Sequence, residues 1–141
     1  MKKVLICKES DALETRVAMV PADIKKLIGM GFSFKVVSGA GIKSGFSDEA
    51  YKEAGAEIVS SNEAGYADSE IVVRILKPES TESLKKDTLH LSYLDPFNEK
   101  ELLNKFASEG IQAVSLEMIP RTTLAQKMDV QSSQASLAGY V

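Results

Sequence analysis

The chain has 141 residues, 44% of them hydrophobic and 26% charged, which suits one soluble domain able to bury a core without staples. A net charge of −3 gives no basic excess for nucleic acid, and no apolar run approaches the roughly 20 residues that span a bilayer. The early lysines exclude a secretory signal and the single Cys7 builds no disulfide framework, so composition predicts a cytoplasmic protein without membrane insertion and is silent on chemistry.

Apolar runs alternate with amphipathic stretches from the start. Val4 to Cys7 reads as a buried strand, followed by a polar loop through Thr15. A helix begins near Pro21, where proline suits the first turn, with Ile24, Leu27 and Ile28 as its inward stripe, and Gly31 ends it. Phe34 to Val37 is the next strand, and Gly39, Gly41 and Gly45 mark a loop. Ser47-Asp48-Glu49 opens a short helix that closes near Gly55. Glu57 to Val59 is a weak strand, and Asn62 to Ala67 one or two helical turns. Ile71 to Leu76 is the strongest strand, bounded by Pro78, and Thr88 to Leu94 follows, closed by Pro96. Asn98 caps a helix facing inward through Leu102, Leu103 and Phe106, and Gly110 stops it before a last strand, Ile111 to Leu116. From Val130 the sequence reads as a helix cut in mid-course, which predicts an incomplete chain. Continuous apolar strands separated by helices predict an α/β fold with an open, doubly wound, mainly parallel sheet (flavodoxin/Rossmann-like) and helices on both faces. No interior linker divides residues 1–141.

A dinucleotide site needs a Gly-x-Gly-x-x-Gly turn between strand and helix, so that backbone can approach a pyrophosphate. The nearest cluster, Ser38 to Gly45, has Gly-x-Gly-x-x-x-Gly spacing and leads into a loop. No Cys/His cluster has metal-ligand spacing. His90, the single histidine, lies in a predicted strand and reads as a buried, satisfied side chain, and Cys7 as a small apolar one. Arg16, in Glu14-Thr15-Arg16 after the first strand, stands where open α/β sheets place ligands, and its fork could grip a carboxylate or simply be solvated. Arg74 lies inside the apolar run Ile71 to Leu76, where a buried guanidinium requires a partner, a pocket or an interface. Lys77, just beyond, could be merely exposed. Arg121, Gln126 and Asp129, followed by Ser132 and Ser133, supply a cationic fork, an amide, a carboxylate and hydroxyls. By spacing alone that segment could be a nicotinamide site or only a capped polar loop.

Larger blocks carry a family resemblance. Glu14 to Pro21, Ser38-Gly39-Ala40-Gly41 with Ser44 to Asp48, and Tyr51 with Ala54-Gly55-Ala56 resemble the N-terminal motifs shared by alanine dehydrogenases and NAD(P) transhydrogenases. Pro120 to Asp129 is similar to the transhydrogenase mobile loop, and Ser132-Ser133-Gln134 with Ala138-Gly139-Tyr140 continues it. The resemblance covers essentially the whole chain. It implies the first domain of the NAD(H)-binding alpha subunit, packed beside a downstream Rossmann domain that this chain lacks. The residues matching the family's nicotinamide-side set are Arg121, Gln126, Asp129 and Ser132, the first three of them closest to the chemistry. The implied reaction is hydride transfer between NAD(H) and NADP(H), the latter held on a partner domain. A membrane subunit couples transfer to proton movement. The protein would be a homodimer, cytoplasmic and peripheral to the inner membrane.

Two positions depart from the family pattern. Arg74 stands where the related enzymes carry a lysine, and Asp95 where alanine dehydrogenases carry a histidine, with His90 out of register. Loss of that acid/base histidine favours transhydrogenase over the alternative, an alanine-dehydrogenase-like enzyme in which Arg16 and Arg74 form a substrate pocket for a 2-oxo acid. A non-catalytic assembly module is the third reading.

Overall fold

A computed structural model of the chain describes residues 2–120 and 122–139, with Ser132 described by its backbone alone. Six strands are present: β1 (Lys2–Ile6), β2 (Phe32–Val37), β3 (Glu57–Val59), β4 (Ile71–Leu76), β5 (Leu89–Tyr93) and β6 (Gln112–Ser115). They form one sheet in the order β3-β2-β1-β4-β5-β6, and every pairing is parallel. The winding reverses between β1 and β4. In an open α/β sheet the crevice beyond the carboxyl ends of such a pair is where ligands settle.

Alternation along each strand sorts the core into two faces. Val4 and Ile6 of β1 pack with Phe34 and Val36 of β2 beneath α1 (Pro21–Ile28) and α2 (Asp48–Glu53), around the fully buried Ile24 and Tyr51. Leu5, Cys7 and Val72 point the other way, against Tyr66 of α3 (Asn62–Tyr66). On that second face Phe106 of α4 (Lys100–Ser108) packs with Leu94 and Ile111. Helices thus lie on both faces, as the pattern predicted. α3 sits so close to β1 that a methyl group on Gly65 would fall 2.4 Å from Leu5 Cδ1, which explains glycine inside a helix.

The helix starts follow local chemistry. Ser47 Oγ accepts a hydrogen bond from Ala50 N and Ser61 Oγ one from Ala64 N, so α2 and α3 begin on hydroxyl caps. Asn98 does not cap α4. Its amide donates to the Asp95 carboxylate (2.9 Å), and the Asp95 carbonyl takes the backbone N–H of Asn98 and Glu99. Asp95 sits at φ 50°, a left-handed turn that brings its carboxylate over the segment entering α4.

The β4–β6 half of the sheet is less covered. Residues 77–88 between β4 and β5 contain no helix. On the face that α1 and α2 cover elsewhere, Ile71, Val73 and Ile75 of β4 with Leu89, Leu91 and Tyr93 of β5 are only half-buried, and Val114 of edge strand β6 is 38% exposed. The last helix, α5 (Val130–Gly139), stands over the carboxyl end of this half through Val130 and Gln134.

Candidate functional site

The carboxyl ends of β1, β4 and β5 converge on residues 7–20, the loop leaving β1. Asn62 anchors this loop at its root, its Oδ1 accepting from Lys8 N (2.9 Å) and its Nδ2 donating to Lys8 O (3.1 Å). Glu9 then takes over from the ladder: its carboxylate accepts the N–H of Ile75 (2.5 Å) and of Leu76 (3.3 Å). Burial raises the Glu9 pKa, opposed by those two bonds and by nearby Arg74.

The glycine segment braces this loop instead of cradling a phosphate. Asp48 accepts from Gly39 N (2.8 Å) and from Ser38 Oγ (2.6 Å), bonds that hold its pKa low. Ser44 Oγ donates to Thr15 O (2.7 Å) and Lys43 Nζ to Ala12 O (3.1 Å). With Gly39 N taken by Asp48, this turn is no nest for a pyrophosphate.

Arg16 borders a cavity of about 400 Å³ whose walls include Val73, Tyr93, Leu116, Val130 and Gln134. Its guanidinium is not free for a ligand carboxylate. Nε and Nη2 each lie 2.8 Å from a Glu14 carboxylate oxygen, and Nη1 donates to Gln134 Oε1 (3.4 Å). The side-chain bond from Arg16 lowers the Glu14 pKa, and Glu14 raises that of Arg16.

Arg74 has the partner its burial demands, but that partner is no acid. It is 4% exposed, with Nε donating to Leu76 O (2.8 Å) and Nη1 to Tyr66 Oη (3.3 Å). Tyr66, Cys7 and His90 all feel its charge, and all lie on the α3/α4 face. Arg74 borders the Arg16 cavity from strand β4, but its guanidinium hydrogen bonds go to Leu76 O and Tyr66 Oη. The structure therefore does not bring Arg16 and Arg74 together as one carboxylate clamp.

His90 is buried as expected, 5.2 Å from the Phe106 ring, yet only half-satisfied. Nδ1 is 3.5 Å from Ser92 Oγ, and Nε2 makes no hydrogen bond among the described residues. Burial, aided by Arg74, lowers its pKa to about 4. Burial likewise pushes the Cys7 thiol up to about 12, in keeping with an inert apolar role.

In the loop that carries the family motif, Ala125 is buried and Asp129 is 8% exposed, whereas Gln126 is exposed on a short turn, Gln126–Met128. Asp129 is close enough to Tyr93 to help raise that phenol's pKa, after burial as the main cause and against Arg16. Arg16 and Tyr93 line one cavity together with Val130, the residue after Asp129, while Asp129 and Gln126 both stand outside its wall. Arg121 and the side chain of Ser132 lie outside the described residues.

A second cavity of about 440 Å³ shares Tyr93 and is lined by Asp11, Lys77, Asp95 and Glu117. Lys77 is not merely exposed: it pairs with Glu99 and lies 4.0 Å from Asp95, and the Glu99 bond raises its pKa. Glu117 accepts from Leu94 N (2.9 Å), Asp95 N (3.2 Å) and the Ser115 hydroxyl. Sequence reasoning missed Glu9, Tyr93 and Glu117, and took Glu14 only as part of the Arg16 motif. The one available signal for the first three was position, since each lies just beyond or at the end of a predicted strand. Among the described residues no cluster of three or more His, Cys, Asp or Glu could hold a metal ion, and no helix is long and apolar enough to cross a membrane.

Residues 5–138 match the family model described as "Alanine dehydrogenase/PNT, N-terminal domain". The NAD(P) transhydrogenase subunit alpha of Cereibacter sphaeroides is 40% identical over 129 residues, covering 90% of this chain and 25% of the relative. Among solved structures, the transhydrogenase of Sinorhizobium meliloti superposes with a TM-score of 0.92 at 35% identity, over 99% of this chain and 42% of that one. An L-alanine dehydrogenase superposes with a TM-score of 0.80 at 28% identity, over 87% of this chain and 34% of that one. The chain thus spans a quarter to two-fifths of the length of these relatives.

Proposed function

The chain belongs to the alanine dehydrogenase/PNT N-terminal domain family, and we propose that it lines the nicotinamide side of the NAD(H) cleft in a proton-translocating NAD(P) transhydrogenase. The observation that carries this is the cavity at the carboxyl edge of the sheet, where Arg16 and Tyr93 meet an apolar wall of Val73, Leu116 and Val130, the last of these directly following the loop's buried Asp129. An apolar wall suits an aromatic ring face, and hydrogen-bonding groups at its rim suit a carboxamide. Tyr93 supplies that rim, with Asp129 close behind it. Gln126 and Arg121 would meet the nicotinamide from the loop, and Ser132 the adjoining ribose.

The glycine turn offers a pyrophosphate no cradle, since Asp48 holds Gly39 N. We therefore assign the dinucleotide's grip to a downstream Rossmann domain packed against the half-covered β4–β6 face. An NADP(H)-binding domain and a membrane subunit would complete the enzyme, a homodimer cytoplasmic and peripheral to the inner membrane. NAD(H) supplies the hydride. This chain's residues hold the donor ring, exclude water and fix its approach to the acceptor, which is catalysis by proximity and orientation. An oxo-acid dehydrogenase is a poorer fit, because Arg74 turns to Tyr66 and Asp95 stands in place of the acid/base histidine.

Gln126→Ala in the full-length enzyme is expected to slow hydride transfer from NADH to an NADP+ analogue while the protein stays folded. Unchanged transhydrogenation would overturn the reading. Titration of NADH into the 141-residue chain should show no micromolar binding.

A further inference from the structure

Arg16 and Gln134 are 118 residues apart in sequence and touch across the mouth of the 400 Å³ cavity. How Arg16 is held there decides what that contact does. Glu14 Oε1 accepts both the backbone N–H of Arg16 (3.0 Å) and its Nε (2.8 Å), while Oε2 accepts Nη2 (2.8 Å). A carboxylate two residues upstream thus grips the guanidinium by its bidentate edge and the backbone by a third bond. The Glu14 side chain is only 9% exposed and that of Arg16 is 43% exposed. The acid is the fixed element, and the base is oriented by it. The edge left over, Nη1, faces α5 and meets the amide oxygen of Gln134.

α5 follows directly on the turn that carries Gln126 and Asp129, so whatever seats α5 also seats that turn. On the α5 side, Val130 and Gln134 border the cavity half-buried, while Leu137 at its rim is 63% exposed. Packing holds the start of the helix more firmly than the turn beyond it.

We propose that Glu14 and Gln134 are positioning residues. Glu14 orients Arg16, and Arg16 clasps Gln134, fixing α5 and the Gln126–Asp129 turn across the cavity. Neither residue need touch the dinucleotide. Their effect on hydride transfer passes through the placement of the turn, and this part rests on the nicotinamide-cleft reading. The clasp itself does not.

The test is amide hydrogen exchange on the full-length protein carrying Gln134→Leu, Gln134→Glu or Glu14→Gln, followed by steady-state transhydrogenation. Leucine is as good a helix former as glutamine, so Gln134→Leu removes the acceptor without weakening the helix as such. With it, α5 amides should exchange about three- to tenfold faster while those of β1 and β4 are unchanged, the loss of one hydrogen bond. Gln134→Glu keeps an oxygen for Nη1 and should retain protection. Glu14→Gln should loosen α5 in the same way as Gln134→Leu, lowering kcat with little change in the KM for NADH. Unchanged α5 exchange in Gln134→Leu would overturn the clasp whatever the activity does. If α5 loosens in Gln134→Leu while Gln126→Ala leaves hydride transfer intact, the clasp stands and the nicotinamide-cleft reading falls.

Discussion

The two halves of the sheet are built on different principles. Across β1–β3 the core is apolar and closed: Ile24, Val36 and Tyr51 are fully buried, and the Tyr51 hydroxyl finds the Met19 carbonyl at 2.9 Å. Across β4 and β5 the strands bury Arg74, His90 and Ser92 on one face and leave aliphatic side chains half-covered on the other. A closed apolar core stabilises by burial alone. A buried cation beside a half-satisfied histidine and an uncovered face is costly, and proteins retain such features where the surface meets something else. The candidate cavity lies along the seam between these halves, so the first half serves as foundation and the second as working edge.

The largest effect expected from breaking the foundation is Ile24→Ala, which should lower stability by about 2–5 kcal/mol in urea unfolding, since the fully enclosed site cannot collapse. The working half should instead show its character in pH. His90 is neutral when folded, its pKa lowered to about 4 from 6.5, so the unfolded chain takes up the proton first. Its contribution is fully present above pH 6.5 and is lost as pH falls towards 4, about 3 kcal/mol in all. Urea midpoints between pH 7 and pH 4 should therefore fall less steeply in His90→Leu than in the parent chain. Equal slopes would show that His90 is not held neutral.

Gly65→Ala probes the joint between the halves, where α3 meets β1. Leu5 must move to admit the methyl, and overpacking of about 1–3 kcal/mol is expected in the same urea assay. The control belongs on the outside of α1, where Lys26 and Asp23 pair at 3.3 Å in solvent. Asp23→Ala should change stability by less than about 0.5 kcal/mol.

Much of this fold was legible in the sequence, and what was not has identifiable causes. Apolar runs located all six strands, but β1 begins at Lys2, because its ladder with β2 starts at Lys2 and Phe32, a partnership that no local pattern records. Asn98 carried a capping signal that Asp95 diverted. For the site, the loop motif leads into the cavity wall at Val130, while Glu9 and Glu117 were invisible because their backbone partners, Ile75 and Leu76 for the one and Leu94 and Asp95 for the other, come near only on folding.

The sequence alone determined the alternation of strand and helix, the apolar stripe of α1, the Ser47 cap of α2 and the need for a partner to Arg74, since each depends on local pattern or on the cost of burying a charge. Only the tertiary structure decided the order β3-β2-β1-β4-β5-β6, the face on which Arg74 finds Tyr66, and the meeting of Arg16 with Gln134. These are contacts between distant segments, fixed by how the two faces of one sheet are shared out, and a one-dimensional pattern does not encode which face a long side chain finally reaches.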